Sequence, residues 1–164
     1  MSNLFDFTSR YGNPDWKAAI WAGIIAGAVF ITMEMVLVAT IGGDSPWGPP
    51  RMIAAILLGR GVLPPPATFD LGIFLMAMAT HFALSIALSV AFSFIACRMS
   101  LEKAIVAGGM FGIAVYIIDF YGLTLVFPWF AMARNWISIL SHAVFGIVLA
   151  WTYKSFERPE TASA

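Results

Sequence analysis

An all-α integral membrane protein, built as a four-helix bundle, is the fold class this chain predicts. Three observations predict it. Hydrophobic residues make up 60% of the 164 positions and charged residues only 11%, where a soluble domain carries about 25% charged residues. The mean hydropathy is +0.86. Four apolar runs, 16–41, 71–97, 103–127 and 135–153, come close to or exceed the ~20 residues a helix needs to cross ~30 Å of hydrocarbon. The formal net charge is zero, which gives no case for nucleic acid, and no large soluble domain fits between the runs.

Residues 1–15 read as a short polar, cytoplasmic leader. The first run starts late and is too long for the apolar part of a signal peptide, so no cleavable signal is expected. Asp15 stands where it can cap the first span, and Gly42–Gly43 stop that span. Trp16 and Trp21 suit an interfacial aromatic belt.

The long connection to the second run holds an apolar stretch, 51–63, between proline pairs and triplets. It is too short to span and reads as a helix in the outer interface, with Arg51 and Arg60 toward lipid headgroups. It serves either as a plain tether or as a lid. Asp70 is positioned to cap the second span and Ser100 the third. The tight turn at 98–103 predicts that spans two and three are antiparallel neighbours. Pro128 ends the third span; Trp129, Phe130 and Trp136 form an outer aromatic belt. The polar tail, 155–164, is expected to be mobile. The single domain thus covers 16–154.

Lys and Arg set the orientation. With the N-terminus inside, Arg10, Lys17, Arg98, Lys103, Lys154 and Arg158 face the cytoplasm, and Arg51, Arg60 and Arg134 face outward. The excess places both termini in the cytoplasm of a multi-pass inner-membrane protein. The lone Cys97 excludes an internal disulfide or a cysteine metal cluster and reads as a packing residue.

Function has to come from the groups that do not belong in hydrocarbon. Residues 23–34 read GIIAGAVFITME, and 108–119 read GGMFGIAVYIID: two glycines four apart, then an acid seven residues on. A shift of 85 places Gly23, Gly27 and Glu34 on Gly108, Gly112 and Asp119. A shift of 61 places His81 on His142. We read two tandem two-helix repeats, with 51–63 inserted in the first. The glycines of spans one and three would let those two spans approach closely.

Each span then carries one ionisable group: Glu34, His81, Asp119 and His142. At 1.5 Å per residue they lie roughly 10–15 Å from the outer edge, in one layer. A charged side chain at the bilayer centre costs at least ~2.5–3.5 kcal/mol, so the layer calls for an explanation. Two imidazoles and two carboxylates suit a divalent metal, Zn, Fe, Mn or Cu, with Glu34, His81, Asp119 and His142 as ligands. Alternatively His81 and His142, on diagonal helices at matching depth, ligate a b-type haem in an electron-transfer subunit. A third reading is proton or ion transport. In a fourth, the quartet forms two structural acid–His pairs in an accessory or assembly subunit of a larger membrane complex. Membrane lipid is the expected partner under each of these, with either a homo-oligomer or a larger membrane complex beside it. No nucleophile–base pair, phosphate loop or redox cysteine pair supports an enzyme.

Glu34, the His81 helix, the glycine-rich start of the third span and the SHAVFG opening of the fourth together resemble small uncharacterised bacterial four-span membrane proteins. The resemblance implies fold and location, not chemistry.

Overall fold

The computed structural model describes residues 13–158. The leader before Asn13 and the tail beyond Arg158 lie outside the described residues. Among the described residues the chain is helical apart from short connections, without strands. The four apolar runs become α1 (Trp16–Leu37), α3 (Leu71–Ala96), α4 (Leu101–Ile117) and α5 (Trp136–Phe156), and the connection contributes α2 (Gly48–Leu58). Counting the turns that continue α1 and α4, four helical stretches, Trp16–Gly42, Leu71–Ala96, Leu101–Leu125 and Trp136–Phe156, are long and apolar enough to cross a membrane.

The caps follow the sequence. The Asp15 carboxylate accepts from the amides of Lys17 and Ala18 at 3.0 and 3.1 Å, and Asp70 accepts from Ile73 N at 2.9 Å. Ser100 occupies the N-cap of α4 without a side-chain bond there. α1 and α4 both end in a wider π-helical turn, Val38–Gly42 and Ile118–Gly122. Gly43 closes the first with φ of +73°, a left-handed conformation that glycine adopts without a Cβ clash.

The packing order is α3–α1–α5–α4, with α1 and α5 in the middle. This corrects two expectations. Helices α3 and α4 share a tight turn yet scarcely touch. The glycines of α1 and α4 do not bring those two helices together; each pair faces its own hairpin partner instead. A Cβ on Gly23 would lie 2.7 Å from Ile86 Cα of α3, and one on Gly108 would lie 2.7 Å from Ala150 Cβ of α5. Close backbone approach at glycine chooses the partner, and the short turn only joins the hairpins. Between α1 and α5 the core is fine-grained: Ala18, Ala22, Ala26, Phe145, Leu149 and Tyr153 are all buried.

At the end where α1 begins and α5 finishes, Asp15 holds the two helices together. Its amide donates to Tyr153 Oη at 3.1 Å, and Arg158 N donates to its Oδ2 at 3.4 Å. Hydrogen bonds, first of all from Ala18 N, hold the Asp15 carboxyl below the ordinary aspartate value of about 3.9. A carboxyl whose pKa is depressed on folding stabilises the fold fully above its unfolded pKa and loses that contribution as pH falls through the folded one. We therefore expect Asp15→Ala to lower stability by about 1 kcal/mol at neutral pH. In urea titrations below pH 3 the difference from the parent should shrink.

At the opposite end, α2 lies on α3 and touches α1. Arg51 is tied to the loop that follows α2. Its guanidinium donates to Thr68 O at 2.9 Å and Val62 O at 2.7 Å, closing the loop that leads into α3. Trp129 is not part of an exposed belt: it is buried, and its ring N–H donates to Met52 O at 3.1 Å. Arg60 sits over the same ring, 5.8 Å from its centroid. The insertion of the first hairpin is thus fastened to the link between α4 and α5.

Candidate functional site

The site is built on two antiparallel hairpins. On α3, His81, Ser85 and Ser89 recur every four residues and so share one face. All three are buried, and each meets a carbonyl of α1. His81 Nε2 donates to Gly27 O at 2.9 Å, Ser85 Oγ to Gly23 O at 2.6 Å, and Ser89 Oγ to Ala19 O at 2.6 Å. The polar stripe below His81 is a ladder that fixes the register of α3 on α1. It exists because Gly23 and Gly27 leave their carbonyls within reach.

The second hairpin reaches the same closeness without hydroxyls. A Cβ on Gly112 would collide with the carbonyl oxygen of His142, and one on Gly146 with that of Gly108. His142 is thereby pressed into the bundle. Its ring is boxed by Phe30, Phe120 and Tyr116, with centroids 4.8, 5.4 and 5.7 Å away.

Donor accounting fixes how the His142 ring is used. Nδ1 lies 2.7 Å from Ser138 O; a carbonyl only accepts, so Nδ1 carries a proton. Nε2 lies 3.5 Å from Asp119 Oδ2. The carboxylate thus stands beside the free ring edge, beyond the roughly 2.7–3.2 Å of an ordinary hydrogen bond. Asp119 belongs to the π-turn that ends α4, and its side chain is 36% exposed against 6% for His142.

Glu34 takes another route. It is buried on α1, and its Oε1 accepts from Ser138 Oγ at 2.8 Å; Oε2 has no partner. One residue, Ser138, therefore receives His142 on its carbonyl and gives its hydroxyl to Glu34. A bundle-crossing chain results: Glu34, Ser138, His142, Asp119. It is not a proton wire, because the backbone carbonyl in the middle accepts a hydrogen bond and has no proton of its own to pass on.

The structure thus joins Asp119 to His142, joins Glu34 to His142 only through Ser138, and sets His81 apart. The ring of Phe30 separates the two histidines, stacked on His81 at 5.5 Å and edge-on to His142. Among the described residues, no group of three or more His, Cys, Asp or Glu comes together to hold a metal ion. The quartet as placed does not fit a shared divalent ion. Nor does it fit bis-histidine haem: the two Nε2 atoms point to Gly27 O and to Asp119, and an aromatic side chain fills the gap a macrocycle would need.

Sequence reasoning missed Ser138 and Phe30, which do most of the connecting. The spacing held the signal for Ser138: it lies four residues before His142 and shares its helix face. Phe30, four residues before Glu34, read only as one more apolar residue. No family model matches the chain, and neither a curated protein nor a solved structure is similar to it.

Proposed function

We propose that this integral membrane protein is an accessory or assembly subunit of a larger membrane complex, whose intramembrane acids and histidines fix its own helix register. The observation that carries the reading is the engagement of both histidines within the bundle. His81 is bonded to Gly27 O and His142 to Ser138 O, with Asp119 3.5 Å from the other ring nitrogen of His142. Ligand nitrogens turned to backbone and carboxylate hold helices together; buried polar groups used for registry have good precedent as a role. Both termini face the cytoplasm on the Lys and Arg distribution.

The same reading includes a two-helix unit used twice. The positions aligned by shifts of 85 and 61 meet across corresponding interfaces, Gly27 with His81 and Gly112 with His142. Gly23 with Ser85, and Gly108 with Gly146, make the second correspondence.

The test has two arms. Extracted in mild detergent from its own membranes, the protein should migrate as a larger particle than the same chain made in a foreign host. Purified material should show no Soret band and no stoichiometric transition metal. Equal size from both hosts, or a metal or haem lost in His81→Ala and Glu34→Ala, overturns the proposal.

A further inference from the structure

One carboxylate oxygen and one hydroxyl at the same interface are left without partners. Glu34 is only 6% exposed, and its Oε2 accepts nothing. Ser141 is 0% exposed, and its Oγ has no partner either. On α5, Ser141 lies between Ser138, which bonds Glu34, and Phe145, whose ring is 6.1 Å from Phe30 of α1. Spacings of three and four residues put Ser138, Ser141 and Phe145 on one helix face, the face turned to α1.

The other hydroxyls of these spans divide: Ser85, Ser89 and Ser138 donate across to α1, Thr152 Oγ1 also lacks a partner, and several bond back onto their own helix. Thr40 donates to Val36 O, Thr80 to Met76 O and Ser155 to Trp151 O. Ser141 does not. A buried unsatisfied polar atom in a folded protein marks strain, function, or a bound water or ion. Two at one interface, one of them on a carboxylate at membrane depth, point to something bound between them.

We propose that Glu34, Ser138 and Ser141 form a binding site for a small monovalent cation, Na⁺. The donors are all oxygens, which suits a hard cation rather than a transition metal. One carboxylate is balanced by one positive charge. The arginines at this end are engaged elsewhere: Arg51 with Val62 and Thr68, Arg134 with Phe120 O at 2.6 Å, Arg60 with Trp129.

The test is the thermal unfolding of the detergent-solubilised full chain in NaCl against choline chloride at equal ionic strength. Binding to the folded state alone predicts a saturable rise in Tm of several degrees with Na⁺. Ser141→Ala should leave the Tm in choline unchanged, since the hydroxyl has no partner there, and should abolish the Na⁺ response. Glu34→Gln should abolish it too. If Glu34→Gln does not fold, Ser141→Ala decides alone. Equal Tm in both salts for the parent protein, or an undiminished Na⁺ response in Ser141→Ala, overturns the site. Neither result bears on particle size or haem content, so failure here is distinct from failure of the assembly reading.

Discussion

Gly112→Ala and Gly146→Ala will each destabilise the α4–α5 hairpin strongly, by about 1–3 kcal/mol or more. The added methyl has nowhere to go. At both positions it collides with a backbone carbonyl oxygen of the facing helix, that of His142 or of Gly108. A backbone atom in a packed helix pair cannot rotate aside as a side chain can, so the helices must move apart along their whole contact. Separation would also lengthen the reach from Asp119 to His142, already 3.5 Å.

The glycines of the other hairpin grade the effect. A Cβ on Gly23 would lie 2.7 Å from Ile86 Cα, again backbone, whereas one on Gly27 would lie 2.6 Å from Ser85 Oγ. Ser85 can turn, at the loss of its bond to Gly23 O. The expected order of damage is Gly112 and Gly146, then Gly23, then Gly27. Gly109→Ala is the control: its nearest neighbour would be Ile147 Cγ1 at 3.5 Å, an ordinary contact, so little change is expected. Unfolding in mixed micelles with increasing SDS, followed by circular dichroism, ranks the series. Equal stability of Gly112→Ala and Gly109→Ala would show that the α4–α5 contact is not as described.

This ranking shows where the sequence was legible and where it was not. Spans and the caps at Asp15 and Asp70 come from local signals: run length and a short acceptor before an apolar run. They transfer directly to the structure. Partner choice between helices is not local. The same pair of glycines was readable in α1 and in α4, but whether α1 meets α4 or α3 depends on which surface accepts it, and Ser85 and Ser89 supplied that surface. The division of the four ionisable groups into separate ties was not readable either, because the dividing group is Phe30 and the linking group is Ser138, neither of which looks unusual in an apolar helix. Trp129 differs for a related reason: it suits an interface by type, and it is instead drawn inward onto the Met52 carbonyl of α2, whose packing partner no periodicity describes.

Ser138→Ala should be the most damaging removal of a single hydroxyl in the protein. Among the described residues Ser138 Oγ is the one hydrogen-bond donor to Glu34, whose other oxygen has none. Hydrogen bonds between membrane helices average only about 0.6 kcal/mol and reach about 1.7. Those to charged groups contribute about 1.5–3 kcal/mol. Stripping the donor loses more than the bond, since it leaves a buried carboxylate with both oxygens unpaired, and that is the larger cost. A destabilisation of about 2 kcal/mol or more is therefore expected for Ser138→Ala, against almost none for Ser141→Ala measured without sodium. The Ser138 carbonyl survives the substitution, so the bond from His142 Nδ1 remains and the effect isolates Glu34. A double-mutant cycle separates the terms. In a Glu34→Leu background, Ser138→Ala should cost well under half of what it costs in the parent, because no carboxylate is left to strand. A cycle that comes out additive would mean that Glu34 and Ser138 do not sense each other, and the chain from Glu34 to Asp119 would fail at its first link.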